Sequence, residues 1–275
     1  IEGLGKAAAI ETTLLSELLP SLLSNYANGS TRTFGFGVGQ EVYDATEVMV
    51  QARGLVASAE PNSICLMFLR GFISGWREAK PQEVRLFLDD ALHDDVWGRF
   101  FAELQLQVAL DDKGYNRLLK SLELGNTPIS QYQGLAYGRA AFPLTVEQIS
   151  TLINAIKSHG DDGFVVAAEI LSMVIYSAKE RDDDYCQGLA VTCTLFLLDL
   201  DWLKVLSSKA GASHRIETIL KFALSMSPNG ETISDILQKL VGALRTRKTY
   251  FSRRQGGLFA PFFKYYPKET LDAVY

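Results

Sequence analysis

The chain has 275 residues, of which 47% are hydrophobic and 21% charged, and its formal net charge is −5. This composition excludes a disordered chain, because it supplies enough apolar surface for a large core. The mild negative charge points to neither nucleic acid nor a membrane surface as the partner of the whole chain.

Apolar residues recur at i, i+3, i+4 and i+7 along almost the whole sequence, which predicts helices, and no stretch alternates long enough to predict a strand. The predicted helices span, in chain order, residues 5–26, 41–57, 62–78, 81–93, 95–110, 113–124, 129–141, 145–158, 162–179, 183–198, 200–208, 213–227, 231–247, 257–264 and 268–274. The glycine-rich stretch FGFGVG, residues 34–39, lies between two of these helices and is expected to be a loop.

Local signals mark several helix boundaries. The sequence TVEQ, which begins at Thr145, is a capping box and predicts the start of a helix. Pro81 suits the first turn of a helix. Glycines that follow periodic runs are expected to end helices in a left-handed conformation, and they are Gly125, Gly160 and Gly211.

An internal repeat with a period of about 34 residues runs through three segments, residues 81–92, 115–125 and 146–160. Two apolar columns share one helix face in this frame, and they are Val84, Leu118 and Leu152 in the first and Leu88, Leu122 and Ile156 in the second. A less regular column in the preceding helices contains Phe68, Phe101, Leu135 and Ala168. A period of this length is typical of stacked helix pairs.

The predicted fold is therefore all-α, an α-solenoid of stacked antiparallel helix pairs that forms a single elongated domain over residues 1–275. The repeat is clearest over residues 61–180, and residues 1–60 and 181–275 are expected to be atypical capping helices. Because the chain starts at Ile1 and ends in an apolar, periodic run, we expect it to be a fragment of a longer protein.

The degenerate repeat resembles the HEAT and tetratricopeptide classes of helical repeats. HEAT is the better match, because only Trp97-Gly98 is left of the tetratricopeptide signature. The stretches FLRGFISGWRE, FLDDAL and LAYGRAAFPLTVEQISTLINAI resemble the helical C-terminal regions of large bacterial NACHT-type (STAND) ATPases. The resemblance implies a cytoplasmic sensor arm for ligands or foreign proteins, and since this sequence has no Walker A motif, the ATPase would lie elsewhere in the parent protein.

Residues suited to metal or thiol chemistry are few and scattered, and they are His93, His159, His214, Cys65, Cys186 and Cys193. No histidine has another histidine or a cysteine three or four residues away, and the cysteines lie in apolar runs typical of a core in a reducing cytosol. No catalytic residue, metal or cofactor is predicted. An enzyme whose residues converge only in the fold remains an alternative.

The leading functional prediction is a non-enzymatic scaffold for protein interaction or ligand sensing, whose partner is another protein or the rest of the parent chain. The side chains beside the apolar columns differ in charge and polarity, as they do on the binding surfaces of solenoid proteins. The partner-binding candidates are Asp89, Lys120, Asn154 and Lys157. No membrane partner is expected, because no apolar run reaches about 18 residues.

The C-terminal region offers an alternative, because residues 236–275 carry eight basic and only two acidic side chains. Basic and aromatic residues are interleaved there, and such side chains can bind phosphates and stack on bases, respectively. The candidates for anion or nucleic-acid binding are Arg245, Arg247, Lys248, Tyr250, Arg253 and Arg254. The same segment could instead dock onto the acidic remainder of the chain.

Overall fold

A computed structural model of the chain describes residues 1–24, 28–60, 63–207, 210–226, 230–247 and 253–274. Over these residues the protein is helical, and β structure is limited to one isolated bridge between Ser24 and Ile64. The predicted all-α class is confirmed. The chain divides into two compact units, Ile1–Gly134 and Leu135–Tyr275, and the boundary falls inside the segment in which the repeat is clearest. The single elongated domain stays a prediction.

The helices of the first unit are α1 (Glu2–Ile10), α2 (Thr12–Leu22), α3 (Gly29–Glu41), α4 (Ala45–Ser58), α5 (Met67–Ala79), α6 (Pro81–Ala91), α7 (Phe101–Gln105) and α8 (Asp112–Leu124). A 3₁₀ turn at Trp97–Phe100 precedes α7, and a second 3₁₀ segment covers Ile129–Ala136.

The helices of the second unit are α9 (Val146–Lys157), α10 (Gly160–Ala178), α11 (Asp183–Leu198), α12 (Trp202–Ser207), α13 (Ala210–Met226), α14 (Gly230–Arg247), α15 (Arg253–Tyr265) and α16 (Pro267–Val274). The α10 helix packs against α9 and α13, and α11 packs against α13. The core of this unit is formed by the apolar faces of these helices, including Leu152, Leu171, Leu189 and Leu220.

The predicted loop at residues 34–39 is wrong, because these residues lie inside α3. The α3 helix packs between α1 and α5, and its glycines bring the backbones together. A Cβ atom at Gly37 would overlap the carbonyl oxygen of Glu2 in α1, and one at Gly39 would overlap that of Phe72 in α5. The low helix propensity of glycine is therefore outweighed by close helix packing.

Several other predicted boundaries are corrected by the structure. The helix expected over residues 5–26 is divided at Glu11 into α1 and α2. The helix expected over 95–110 consists of a 3₁₀ turn and the short α7, and that expected over 129–141 is a 3₁₀ segment ending at Ala136. Gly211 lies inside α13 rather than at the end of a helix.

The strongest boundary signals are confirmed. The hydroxyl of Thr145 accepts a hydrogen bond from the backbone N–H of Gln148 at 3.2 Å, which completes the capping box of α9. Pro81 occupies the first turn of α6. Gly125 follows α8 with a φ of 69°, the left-handed region in which glycine carries no steric penalty. Gly160 is also left-handed, with a φ of 79°, but it is the first residue of α10.

All members of the predicted apolar columns are buried, each at most 5% exposed, and they are Val84, Leu88, Leu118, Leu122, Leu152, Ile156, Phe68, Phe101, Leu135 and Ala168. The periodic pattern therefore predicts correctly which face of α6, α8 and α9 points to the core.

Candidate interaction sites

The four predicted partner-binding residues occur in both units. Asp89 and Lys120 belong to the first unit, and Asn154 and Lys157 belong to the second. Lys120 is exposed, and its ammonium lies 2.9 Å from a carboxylate oxygen of Glu123 on the same helix. Asn154 is exposed on α9, whereas Lys157 is only 20% exposed and forms an ion pair described below.

Asp89 forms an ion pair with Arg117 of its own unit. Its carboxylate accepts a hydrogen bond of 2.7 Å from Nε of Arg117, a side chain that is only 7% exposed. The other guanidinium nitrogens of Arg117 donate to the Arg85 carbonyl at 3.0 Å and to Gln105 at 3.5 Å. The hydrogen bond from Arg117 lowers the pKa of Asp89 below its ordinary value. Asp89 thus helps to join α6 to α8 and to hold a buried cation.

The basic segment is described only in part. Arg245 is exposed on α14 and donates a hydrogen bond to the carbonyl of Ala273 at 3.4 Å. Lys248 and Tyr250 lie outside the described residues, and so do the side chains of Arg247, Arg253 and Arg254. Nucleic-acid binding by this segment stays a prediction.

A cleft of about 710 Å³ opens in the second unit where α9 ends, α10 begins and α11 leads into α12. We call it the lysine–aspartate cleft, and its lining residues are Lys157, Gly160, Asp161, Phe164, Val165, Asp199, Leu200, Asp201, Lys204 and Val205. Its floor is apolar, because Leu200 and Val205 are buried and Phe164 stacks on Phe196 with 5.3 Å between ring centroids.

Two ion pairs cross the rim of the lysine–aspartate cleft. The ammonium of Lys157 lies 2.7 Å from the carboxylate of Asp199, and that of Lys204 lies 2.7 Å from the carboxylate of Asp161. The hydrogen bond to Asp161 raises the pKa of Lys204. With Asp201 included, three carboxylates face two ammonium groups, so the cleft carries a net negative charge.

A smaller pocket of about 170 Å³ lies elsewhere in the second unit, between the loop after Ala136 and the end of α10. We call it the arginine pocket, and its lining residues are Leu135, Ala136, Gly138, Arg139, Ala141, Phe142, Met173, Val174, Tyr176, Ser177, Arg181 and Tyr185. Arg139 and Arg181 both stack on the ring of Phe142, each with its guanidinium carbon 4.0 Å from the ring centroid. Such cation–π contacts hold two like charges at one site.

The backbone around Arg139 is strained. Its φ of 61° is the only positive φ of a non-glycine residue in the described part of the chain, and Gly138 before it also has φ of 61°. A left-handed non-glycine residue costs on the order of 1–3 kcal/mol, and such residues cluster at functional sites.

The two arginines use their hydrogen-bond donors unequally. Arg139 donates to the carboxylate of Glu180 at 2.6 Å, and Arg181 donates to the carbonyl of Phe142. The Nε of Arg181 is buried and has no hydrogen-bond partner among the residues that the structure describes. A buried donor without an acceptor costs about 1–3 kcal/mol.

Neither site was predicted as a whole from the sequence. The repeat frame identifies Lys157, but Asp199 follows α11 and Lys204 belongs to α12, both outside that frame. Arg139 and Arg181 lie far apart in the sequence, and only the fold places both of them against Phe142. No spacing rule could have paired them.

The described ranges contain no group of three or more His, Cys, Asp or Glu side chains placed to hold a metal ion. Burial raises the pKa of the Cys186 and Cys193 thiols, which is opposite to the shift that activates a nucleophilic cysteine. None of the described helices combines the length and the apolar character needed to cross a bilayer.

Comparisons with protein-family models, with curated proteins and with solved structures give no match. The resemblance to NACHT-type ATPases therefore stays a prediction that rests on the sequence stretches quoted above.

Proposed function

We propose that the chain is a non-enzymatic scaffold that binds a protein partner, and that the lysine–aspartate cleft receives a basic segment of that partner. The scaffold would be an α-solenoid of helix pairs within a larger cytosolic protein, as in a sensor arm. The repeating burial along α6, α8 and α9 supports the helix-pair part of this proposal.

The observation that carries the proposal is an apolar floor bordered by excess negative charge. A volume of about 710 Å³ lies within the roughly 300–1,000 Å³ typical of ligand sites. Lysine and arginine side chains combine an apolar stem with a cationic head. A basic side chain would therefore cover Phe164 and Val165 with its stem and bring its head to Asp199 or Asp201.

The ion pairs favour a rigid site. The Lys157–Asp199 pair joins the end of α9 to the residue that follows α11, and the Lys204–Asp161 pair joins α12 to α10. The Lys157–Asp199 pair, whose lysine is 20% exposed, contributes most to holding the rim in place, whereas the exposed Lys204–Asp161 pair contributes less. Less conformational entropy is then lost on binding than at a flexible surface.

The test measures binding of labelled amphipathic peptides by fluorescence anisotropy, with basic peptides and the same sequences carrying acids in place of the bases. We expect the basic set to bind. Asp201→Asn should weaken binding by up to about fivefold, because one exposed charge pair contributes about 0.2–1 kcal/mol. Asn is suitable here because it preserves the cap that Asp201 provides by accepting from the backbone N–H of Lys204.

Two further variants test whether the peptides bind in the lysine–aspartate cleft. Val165→Lys places a cation in the cleft at a side chain that is 41% exposed, and it should abolish binding without unfolding the protein. Asp184→Asn removes the same charge from an exposed position of α11 outside the cleft and should have no effect. Equal affinity for acidic peptides, or unchanged binding to the Val165→Lys variant, would contradict the proposal.

A further inference from the structure

We infer that the arginine pocket binds a small oxyanion, a carboxylate or a phosphate, carried on an apolar body. This site is separate from the lysine–aspartate cleft, and the inference does not depend on the proposed function. It rests on four observations about the pocket, namely its charge, its unused donors, its lining and its strained backbone.

The charge of the pocket favours an anion. Arg139 and Arg181 place two permanent positive charges against Phe142, and one carboxylate, that of Glu180, is paired with Arg139. Arg139 and Glu180 are 52% and 59% exposed, so solvent screens both of these charges, and the net positive charge of the site comes from Arg181. The guanidinium group stays charged at every physiological pH, so the site attracts anions throughout that range.

The stacked geometry leaves hydrogen-bond donors for a ligand. A guanidinium carries five N–H donors in its own plane, and stacking on a ring uses only its face. Each arginine has one donating contact described above, to Glu180 or to the Phe142 carbonyl. The buried Nε of Arg181 has no partner in the described part of the chain. Carboxylates and phosphates accept from two such donors at once.

The lining and size specify what carries the anion. Apolar side chains such as Leu135, Ala141 and Val174 line the arginine pocket beside the two arginines. Tyr176 and Met173 line it too and are 50% and 37% exposed, which offers a partner an aromatic and a thioether surface. The volume of about 170 Å³ is below that of sites for drug-sized molecules. It suits one anionic group and the carbons next to it.

The strain at Arg139 agrees with a role for its side chain. Glycine or asparagine would adopt a φ of 61° at little cost, whereas arginine does so only when its surroundings enforce it. The conformation places the Arg139 guanidinium on the Phe142 ring, on which Arg181 also stacks, so the strained residue completes the cationic pair.

The experiment titrates the full chain with four probes and follows amide chemical shifts by NMR. The probes are benzoate, phenyl phosphate, inorganic phosphate and benzamidine, which has the shape of benzoate and the opposite charge. We expect saturable shifts around the arginine pocket with benzoate or phenyl phosphate, and the ratio of these two affinities decides between carboxylate and phosphate. Equal binding of benzamidine overturns the inference. If inorganic phosphate binds as tightly as phenyl phosphate, the claim that the oxyanion is carried on an apolar group is overturned.

Matched variants test the residues. Arg139→Gln and Arg181→Lys should each weaken the bound probe about tenfold or more, because each removes charge-assisted or bidentate hydrogen bonds. Glu180→Gln removes the competing carboxylate and should strengthen binding several-fold. Lys179→Gln makes the same charge change as Arg139→Gln at an exposed residue outside the pocket lining, and it should leave the affinity unchanged.

Thermal unfolding of each variant shows that it is folded before binding is compared. Because Arg181→Lys keeps the charge but not the planar fork, it remains informative if Arg139→Gln fails to fold. The inference is overturned if the folded arginine variants bind benzoate and phenyl phosphate as the unsubstituted chain does, or if Lys179→Gln loses as much affinity as they do.

Discussion

At the residue scale, Asp89 is an exposed side chain whose main contact is with a buried one, that of Arg117. The carboxylate of Asp89 is 58% exposed, yet its partner Arg117 is 7% exposed and also contacts the fully buried Gln105. The repeat frame placed Asp89 beside the apolar columns, where partner-reading side chains are expected. The repeat frame could not show that the buried guanidinium of Arg117, from α8, lies against Asp89.

The Asp89–Arg117 pair leads to a prediction about pH. The folded-state pKa of Asp89 is lowered, so the stabilising pair is fully present above the unfolded-state value of about 3.9 and is lost as the pH falls through the folded value. Asp89→Asn should therefore destabilise the protein at pH 7 by roughly 1 kcal/mol, a value kept small because Asp89 is half exposed. The difference should shrink as the pH falls below about 3.9 and Asp89 is protonated in the folded state.

Urea unfolding at pH 7 and near pH 2 measures this effect. Asp90→Asn is the control, because it makes the same change one residue further along α6 at an exposed position and should stay within about 0.5 kcal/mol at both pH values. A cost of Asp89→Asn that persists undiminished in acid would show that the ion pair is not its source.

At the scale of the helix, α3 shows where sequence reasoning fails. Isolated glycines in a short segment are typical of loops, and FGFGVG has three of them. In the structure they occupy contacts with α1 and α5, where backbone lies against backbone. Propensity is a local property, whereas this helix is stabilised by its neighbours. The capping box at Thr145 could be predicted because both of its partners lie within four residues.

The glycine contacts give a second prediction. A Cβ at Gly71 of α5 would overlap the carbonyl oxygen of Arg32 in α3, and backbone cannot move aside as a flexible side chain can. Gly71→Ala should therefore destabilise the first unit by at least about 3 kcal/mol. Gly54 in α4 has no atom within 4 Å of its would-be Cβ, so Gly54→Ala should stabilise the protein by about 0.5–1 kcal/mol.

Both changes add one methyl group to a helical glycine of the same unit, so denaturant unfolding compares them directly. Opposite signs confirm that the close approach of α3 and α5 determines the result. If Gly71→Ala raised stability as Gly54→Ala does, helix propensity rather than packing would govern this region.

At the scale of the whole molecule, the sequence predicts the helical content and the side of each repeat helix that faces the core. The apolar period of 3.6 residues repeats along the chain, and every column residue it selects is buried. The 34-residue frame continues across Gly134 and Leu135, where the compact units divide. A boundary between units depends on contacts between distant segments, which periodicity does not record.

The first unit is closed at its C-terminal end by a buried polar network. Tyr132 is fully buried and donates to the hydroxyl of Ser121 at 2.7 Å, and Thr127 donates to the carbonyl of Gly98 at 2.6 Å. Burial is the main cause that raises the pKa of Tyr132 to about 12, so its hydroxyl remains a donor across the physiological range. These contacts lie within Ile1–Gly134.

We therefore predict that a fragment of residues 1–134 folds cooperatively on its own, with an unfolding free energy within the usual range of about 5–15 kcal/mol. Its two tryptophans, Trp76 and Trp97, are buried and report unfolding by fluorescence in urea. A fragment of residues 1–126 loses Tyr132 and Thr127, which leaves a cavity and an unpaired Ser121 hydroxyl, and should be less stable by about 3 kcal/mol or more. Equal stability of the two fragments would show that the network does not close the unit, and an unfolded 1–134 fragment would show that its core depends on residues beyond Gly134.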